Sequence, residues 1–243
     1  MINQIKIRNN KKYKKSANYQ MYINKIAKII KKLIRGQKQL LHIDQFLDIN
    51  KEKLNENIES LQNKEEIRLM SYEILILKQY LLMQRHNQLL ITIANILDEI
   101  IKETDTLEIE QDSISYFHAS KAPSITLFNY LQRIAKYTHC SEECFVIALI
   151  YLDKLQEKHP YLVLNSKCIH RFLLTSMVIA IKFQDDDYYK NEYYAKVGGV
   201  SVKEIFVLEQ TFLELMDYEL FIDEHHYLIY EKKLLEYGEI EMP

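Results

Sequence analysis

The chain reads as an all-α protein, on three observations. It holds four Gly and three Pro in 243 residues, with no Asn-Gly or Asp-Gly pair between alternating runs. Hairpin-rich β architectures need that punctuation. Apolar residues also recur at three- and four-residue spacing over several stretches, the period of a helix face. Finally, residues 123–220 are divided at short intervals by residue types that start and stop helices.

The first candidate helix is basic. Tyr19, Tyr22, Ile23, Ile26, Ile29, Ile30, Leu33 and Ile34 share a face beside Lys25, Lys28, Lys31, Lys32 and Arg35, and Gly36 is a plausible stop. A second pattern runs from Glu66 to Lys102. Ile67, Met70, Ile74, Leu77 and Leu81 keep the spacing, which lapses over residues 84–88 and resumes with Leu89 or Leu90, Ile93, Leu97 and Ile100. Uninterrupted, this helix would be about 55 Å long; the lapse leaves a bend or a helical hairpin open. Residues 103–121 are polar and mixed, and read as a linker.

Five short helices follow. Pro123 in a first turn opens one carrying Ile125, Phe128, Leu131 and Ile134. Ser141 is the expected cap of the next, with Glu142 and Glu143 at the positive end of its dipole. That helix buries Phe145, Ala148, Leu149 and Leu152 and ends before Pro160. Asn165 or Ser166 starts the third, with Ile169, Leu173, Met177 and Ala180. A short fourth spans residues 191–197 and stops at Gly198-Gly199. Ser201-Val202-Lys203-Glu204 is a capping box, in which Ser reaches the third amide and Glu reaches back. It opens the fifth, with Ile205, Leu208, Phe212, Leu215 and Met216.

The net charge of −2 hides an asymmetry. Residues 1–43 carry 12 Lys plus Arg and no acid, whereas the remainder carries 20 bases against 34 acids. A basic tail on an acidic domain is expected, able to contact an acidic partner or an anionic membrane, to target an organelle, or simply to dock on its own domain. Three cysteines in a chain this long argue against a disulfide framework and for a reduced, intracellular compartment, cytoplasmic or nuclear. No apolar run approaches the roughly 20 residues of a spanning helix.

Two charges interrupt the apolar faces of the third and fifth helices. Lys182 lies between Ile181 and Phe183, and Glu209 between Leu208 and Phe212. Partial burial of either would require a partner, most simply the other. Such a pair adds little stability but presents a cation and an anion to a visiting chain. Spacing alone favours two ordinary surface charges.

The ordered residue set carries more. Residues 123–137 give Pro-Ser-Ile…Tyr-Leu-Gln-Arg-Ile-Ala-Lys-Tyr, followed by Cys140-Ser-Glu-Glu-Cys144 and Tyr151-Leu-Asp-Lys154. Then come Ile169-His-Arg171, Ala180-Ile-Lys-Phe-Gln-Asp-Asp186, Asn191-Glu-Tyr-Tyr-Ala-Lys-Val-Gly-Gly-Val-Ser201 and Leu208-Glu209. Together they closely resemble the cyclin box of P/U-type cyclins, over residues 122–222, about two fifths of the chain. The resemblance implies a five-helix box with additional N-terminal helices and a short C-terminal helix. The expected organisation is a basic segment at 1–43, a helical extension and linker at 44–121, the box at 122–222 and a C-terminal helix at 223–243. It implies a noncatalytic subunit that binds and activates a cyclin-dependent serine/threonine kinase. The roles of kinase contact fall on Lys182 and Glu209, with Phe183 and Phe212 beside them; Asp153, Arg133 and Arg171 would brace the box. Phe206 departs from the pattern, standing where this branch commonly has Asn, as core packing or as an altered contact. The 23 residues after Leu220 are too few for the second box of larger cyclins, and a single box is normal in this branch.

No cofactor, metal or small-molecule substrate is implied. Asp185-Asp186-Asp187 with Glu192 lacks the second acidic motif and the diphosphate ligands of helical prenyl-chain enzymes, and reads as a solvated loop. His139, Cys140 and Cys144 lack a fourth ligand at a recognisable spacing. Two rivals to kinase activation stay open. One is a cyclin-fold scaffold within a larger assembly. The other, nucleic-acid binding through the basic start, ranks last because no stacking platform or reader module accompanies it.

Overall fold

The structure, a computed structural model, describes residues 64–107 and 116–240. The basic candidate helix of residues 19–35 lies outside them. Seven helices and no strand occur among the described residues: α1 (Lys64–Thr104), α2 (Leu127–Thr138), α3 (Glu143–Lys158), α4 (Ile169–Gln184), α5 (Asn191–Gly198), α6 (Val202–Leu215) and α7 (Glu224–Ile240). None is long and apolar enough to cross a membrane.

The chain divides into two units between Arg85 and His86. The described part of the first is the start of α1. That helix is one 41-residue element, not a hairpin, although the lapse in its apolar pattern coincides with the division. In the second unit the pattern resumes, and Leu89, Leu90, Ile93, Ala94 and Leu97 are buried in the core.

That core is built around α3. Residues 144–152 are buried without a break, which marks a helix surrounded by others rather than one lying on a surface. Its broadest neighbour is α4, buried through residues 172–181. α6 and α5 pack on α4, α2 packs on α5, and α7 returns to α3.

The helix ends show local chemistry yielding to tertiary partners. Pro123 does not open α2. The cap is Thr126, whose hydroxyl accepts the Asn129 N–H, and the helix begins at Leu127. Nor does Ser141 cap α3. Its hydroxyl donates to Asp185 Oδ1 at 2.6 Å and its N–H to Asp185 Oδ2 at 3.1 Å, so both groups are committed 44 residues away. Asp185 is thereby a structural tether rather than a free acid in a loop. Asn165 does nucleate the turn before α4, its side-chain oxygen accepting the Lys167 N–H. α6 has the expected capping box between Ser201 and Glu204.

The stretch read as a linker holds a core residue. Phe117 is fully buried, stacked on Phe172 with centroids 3.9 Å apart, and meets Phe212 edge-on. α5 ends on Gly199 at φ 73°, a left-handed conformation that favours glycine. The preceding Gly198 admits close packing: a Cβ there would lie 2.2 Å from Leu174 Cδ2.

Candidate partner-binding site

Lys182 occupies the last turn of α4, where a cation complements the helix dipole. Glu209 sits midway along α6, beside the buried Leu208. The packing of α6 on α4 brings them together, and Lys182 Nζ donates to Glu209 Oε1 at 2.5 Å. Their side chains keep 26% and 15% of their accessible surface, so the pair is shielded but still reachable.

A third residue completes the arrangement. Asn191, at the start of α5, donates from Nδ2 to Glu209 Oε2 at 2.7 Å. Each carboxylate oxygen thus has its own donor, which fixes the rotamer of Glu209. The carboxylate also fixes the Asn191 amide, since the reverse orientation would set oxygen against oxygen. Asn191 Oδ1 is then left buried without a partner, which costs about 1–3 kcal/mol in a typical fold. The lysine still has two N–H donors, and the carboxylate has unused lone pairs. Charge nearly cancels inside the clasp, while hydrogen-bonding capacity remains at its surface.

The rim of this clasp is apolar and exposed. Phe183 follows Lys182 directly and is half exposed, as is Phe206. Val202, Phe206 and Glu209 stand at i, i+4 and i+7, one face of α6. Phe206 is therefore a surface aromatic, not core packing. Phe183 also lines a groove of about 400 Å³ between α3, the end of α4 and the start of α7, together with Tyr151, Phe221 and Tyr227. Exposed large apolar side chains beside a shielded ion pair mark a surface suited to a protein partner.

The other candidate residues separate into two groups. Phe212 is not at the surface; it is fully buried against Phe117 and Phe172, because its position on α6 faces the core. Arg133 donates to the Lys196 carbonyl at 3.0 Å and ties α2 to the end of α5. Arg171 pairs with Glu204, 2.6 Å from Nε to Oε1, and so ties α4 to the capping box of α6. Asp153 accepts the Tyr230 hydroxyl at 2.5 Å and holds α7 against α3. Although Asp153 is exposed overall, burial around its carboxyl raises its pKa, against the lowering effect of the Tyr230 bond. Cys144 is buried, with Sγ 3.2 Å from Ser141 Oγ.

The resemblance placed Phe183 beside the contact pair and left Phe206 between core packing and an altered contact, but nothing in the sequence marked Asn191 as part of the site. Asn191 stood out only as a helix start, and nothing local shows that its amide faces a carboxylate 18 residues away.

A protein-family model described as Cyclin matches residues 62–220. The chain is 42% identical over 137 residues to Cyclin-U4-1 of Arabidopsis thaliana, covering 55% of this chain and 68% of that protein. It is 41% identical over 140 residues to Cyclin-P3-1 of Oryza sativa subsp. japonica, covering 56% and 58%. To PHO85 cyclin PHO80 of Saccharomyces cerevisiae it is 36% identical over 117 residues, covering 48% and 40%.

Proposed function

The chain belongs to the cyclin family, and from that premise we propose that it is the regulatory subunit of a cyclin-dependent serine/threonine kinase, docking through α4 and α6. The observation that carries this reading is the Lys182–Glu209–Asn191 clasp with its exposed apolar rim. A kinase backbone segment can bond to the spare donors and acceptors while Phe183 and Phe206 are buried beside it. The name of the yeast relative, PHO85 cyclin, supports the same assignment.

Activation follows as a population shift. A kinase alternates between conformations with its catalytic Lys–Glu ion pair open and assembled. A rigid surface that binds the assembled form more tightly raises its share, by about tenfold for each 1.4 kcal/mol of preference. Rigidity is what the clasp and the braces supply: Arg171 fixes α4 to α6, and Asn191 fixes α5 to α6.

The test is twofold. Purified chain added to a monomeric cyclin-dependent kinase should raise its phosphorylation of a serine peptide, and the chain isolated from its source should carry a kinase in native mass spectrometry. An assembly with no kinase, together with no stimulation, would favour a scaffold role instead.

A further inference from the structure

A second surface lies at the other end of α5 and shares no residue with the clasp. Along α2, Asn129, Arg133 and Lys136 stand at i, i+4 and i+7, and Lys196 faces them from the last turn of α5. Between the two helices runs an open crevice of about 570 Å³, walled by Tyr137 and Tyr193. The wall is fixed: Tyr193 donates its hydroxyl to the Tyr137 carbonyl at 2.7 Å and stacks on Tyr189.

The crevice concentrates positive charge. Arg133, Lys136 and Lys196 line it with no acid, and among the described residues none of the three pairs with a carboxylate. Composition does not account for this, because acids outnumber bases 34 to 20 after residue 43. Helix polarity accounts for only part. Lys136 and Lys196 sit in last turns, where each helix end contributes about half a negative charge, so about two positive charges remain uncompensated. Arg133 is immobilised by its bond to the Lys196 carbonyl and keeps four of its five N–H donors for a ligand.

From this we infer that the α2–α5 crevice binds a phosphorylated polypeptide segment, with the phosphate held among Arg133, Lys136 and Lys196. A phosphate dianion matches the uncompensated charge, and fixed guanidinium with flexible ammonium donors is a common phosphate-binding set. The open shape and the partly exposed Tyr137 suit a phosphate carried on a chain, whose flanking residues lie along the wall. Free phosphate gains little from an open crevice. Nucleic acid fits less well. Three cations neutralise few phosphates compared with the roughly 6–10 contacts of a typical binder, and the acidic remainder of the chain repels a polyanion.

The probe is a fluorescein-labelled seven-residue peptide of Ala and Ser with one central phosphoserine, read by fluorescence anisotropy on the full chain. It should bind, while the unphosphorylated peptide should bind at least about tenfold more weakly. Lys136→Glu and Lys196→Glu, both at exposed positions, should each weaken binding by about tenfold or more, and Lys136→Gln and Lys196→Gln by less. Lys121→Glu makes the same charge change away from the crevice and should leave affinity unaltered. Four results would overturn the inference: equal affinity for both peptides, equal loss in Lys121→Glu, displacement by equimolar inorganic phosphate, or tighter crevice-dependent binding of a single-stranded 12-mer DNA. Melting curves identify any variant that has lost its fold, and the glutamine variants then decide. Kinase stimulation is measured separately, so failure here leaves the clasp standing.

Discussion

Glu209 receives a donor on each carboxylate oxygen, and the two come from different helices. Removing Asn191 therefore frees Glu209 to rotate without removing its charge. Asn191→Ala should destabilise the fold by about 1–3 kcal/mol in urea unfolding, the range for losing a buried hydrogen-bonded group. It should also weaken kinase binding while leaving the Lys182–Glu209 charges in place; unchanged affinity would mean that Asn191 only supports the fold. His170 is a second site where a single residue sets behaviour. Its Nε2–H donates to the Ile125 carbonyl at 2.9 Å, and Nδ1 is buried without a partner. Burial lowers its pKa below the ordinary 6.5, against the raising effects of the Ile125 bond and Asp98. Since the folded pKa is the lower one, the unfolded chain takes up the proton first as pH falls. The stability contributed by neutral His170 is complete above pH 6.5 and declines as pH drops below it toward the folded pKa. The melting temperature should fall between about pH 7.5 and 5.5, and His170→Asn should fall less. Parallel declines would assign the acid sensitivity elsewhere.

At the scale of elements, the helices and their order were legible and several of their ends were not. Apolar spacing marked the residues of α3, α4 and α6 that are buried, and the Ser201–Glu204 box formed because both partners lie within one turn. Ser141 had the right chemistry for a cap, but the nearby Asp185 competes for the same hydroxyl, and sequence separation conceals it. Phe117 was hidden for another reason: a lone aromatic in a polar stretch has no period to report it. Phe117→Ala should cost about 3–5 kcal/mol in denaturant unfolding, although the residue lies in no helix. A cost below 1 kcal/mol would contradict its place in the core. The end of α5 invites a paired comparison. Gly199→Ala strains a left-handed residue by about 1–2 kcal/mol, and Gly198→Ala drives a methyl group into Leu174, an overpacking of about 1–3 kcal/mol.

At the scale of the molecule, resemblance was recognisable from residue 122 onward, whereas the family match begins at residue 62. The difference reflects the kind of signal. The box carries an ordered set of distinctive residues; α1 carries only a generic apolar face with a lapse at residues 84–88. Lys182 and Glu209 were legible as charges in apolar company and Phe183 as their neighbour, but whether Phe206 lay in the core or at the surface was not, because its exposure depends on how α6 packs. The fold thus holds one charged pair shielded but accessible, with the exposed Phe183 next to Lys182 and the exposed Phe206 one turn from Glu209. The most direct measurement is calorimetric titration of a purified cyclin-dependent kinase with the chain and with Glu209→Ala, each first shown to be folded by circular dichroism. Loss of a hydrogen-bonded charge at the interface should weaken binding by at least about 2 kcal/mol, roughly thirtyfold. Equal affinity for both proteins would contradict the assignment of this surface to the kinase.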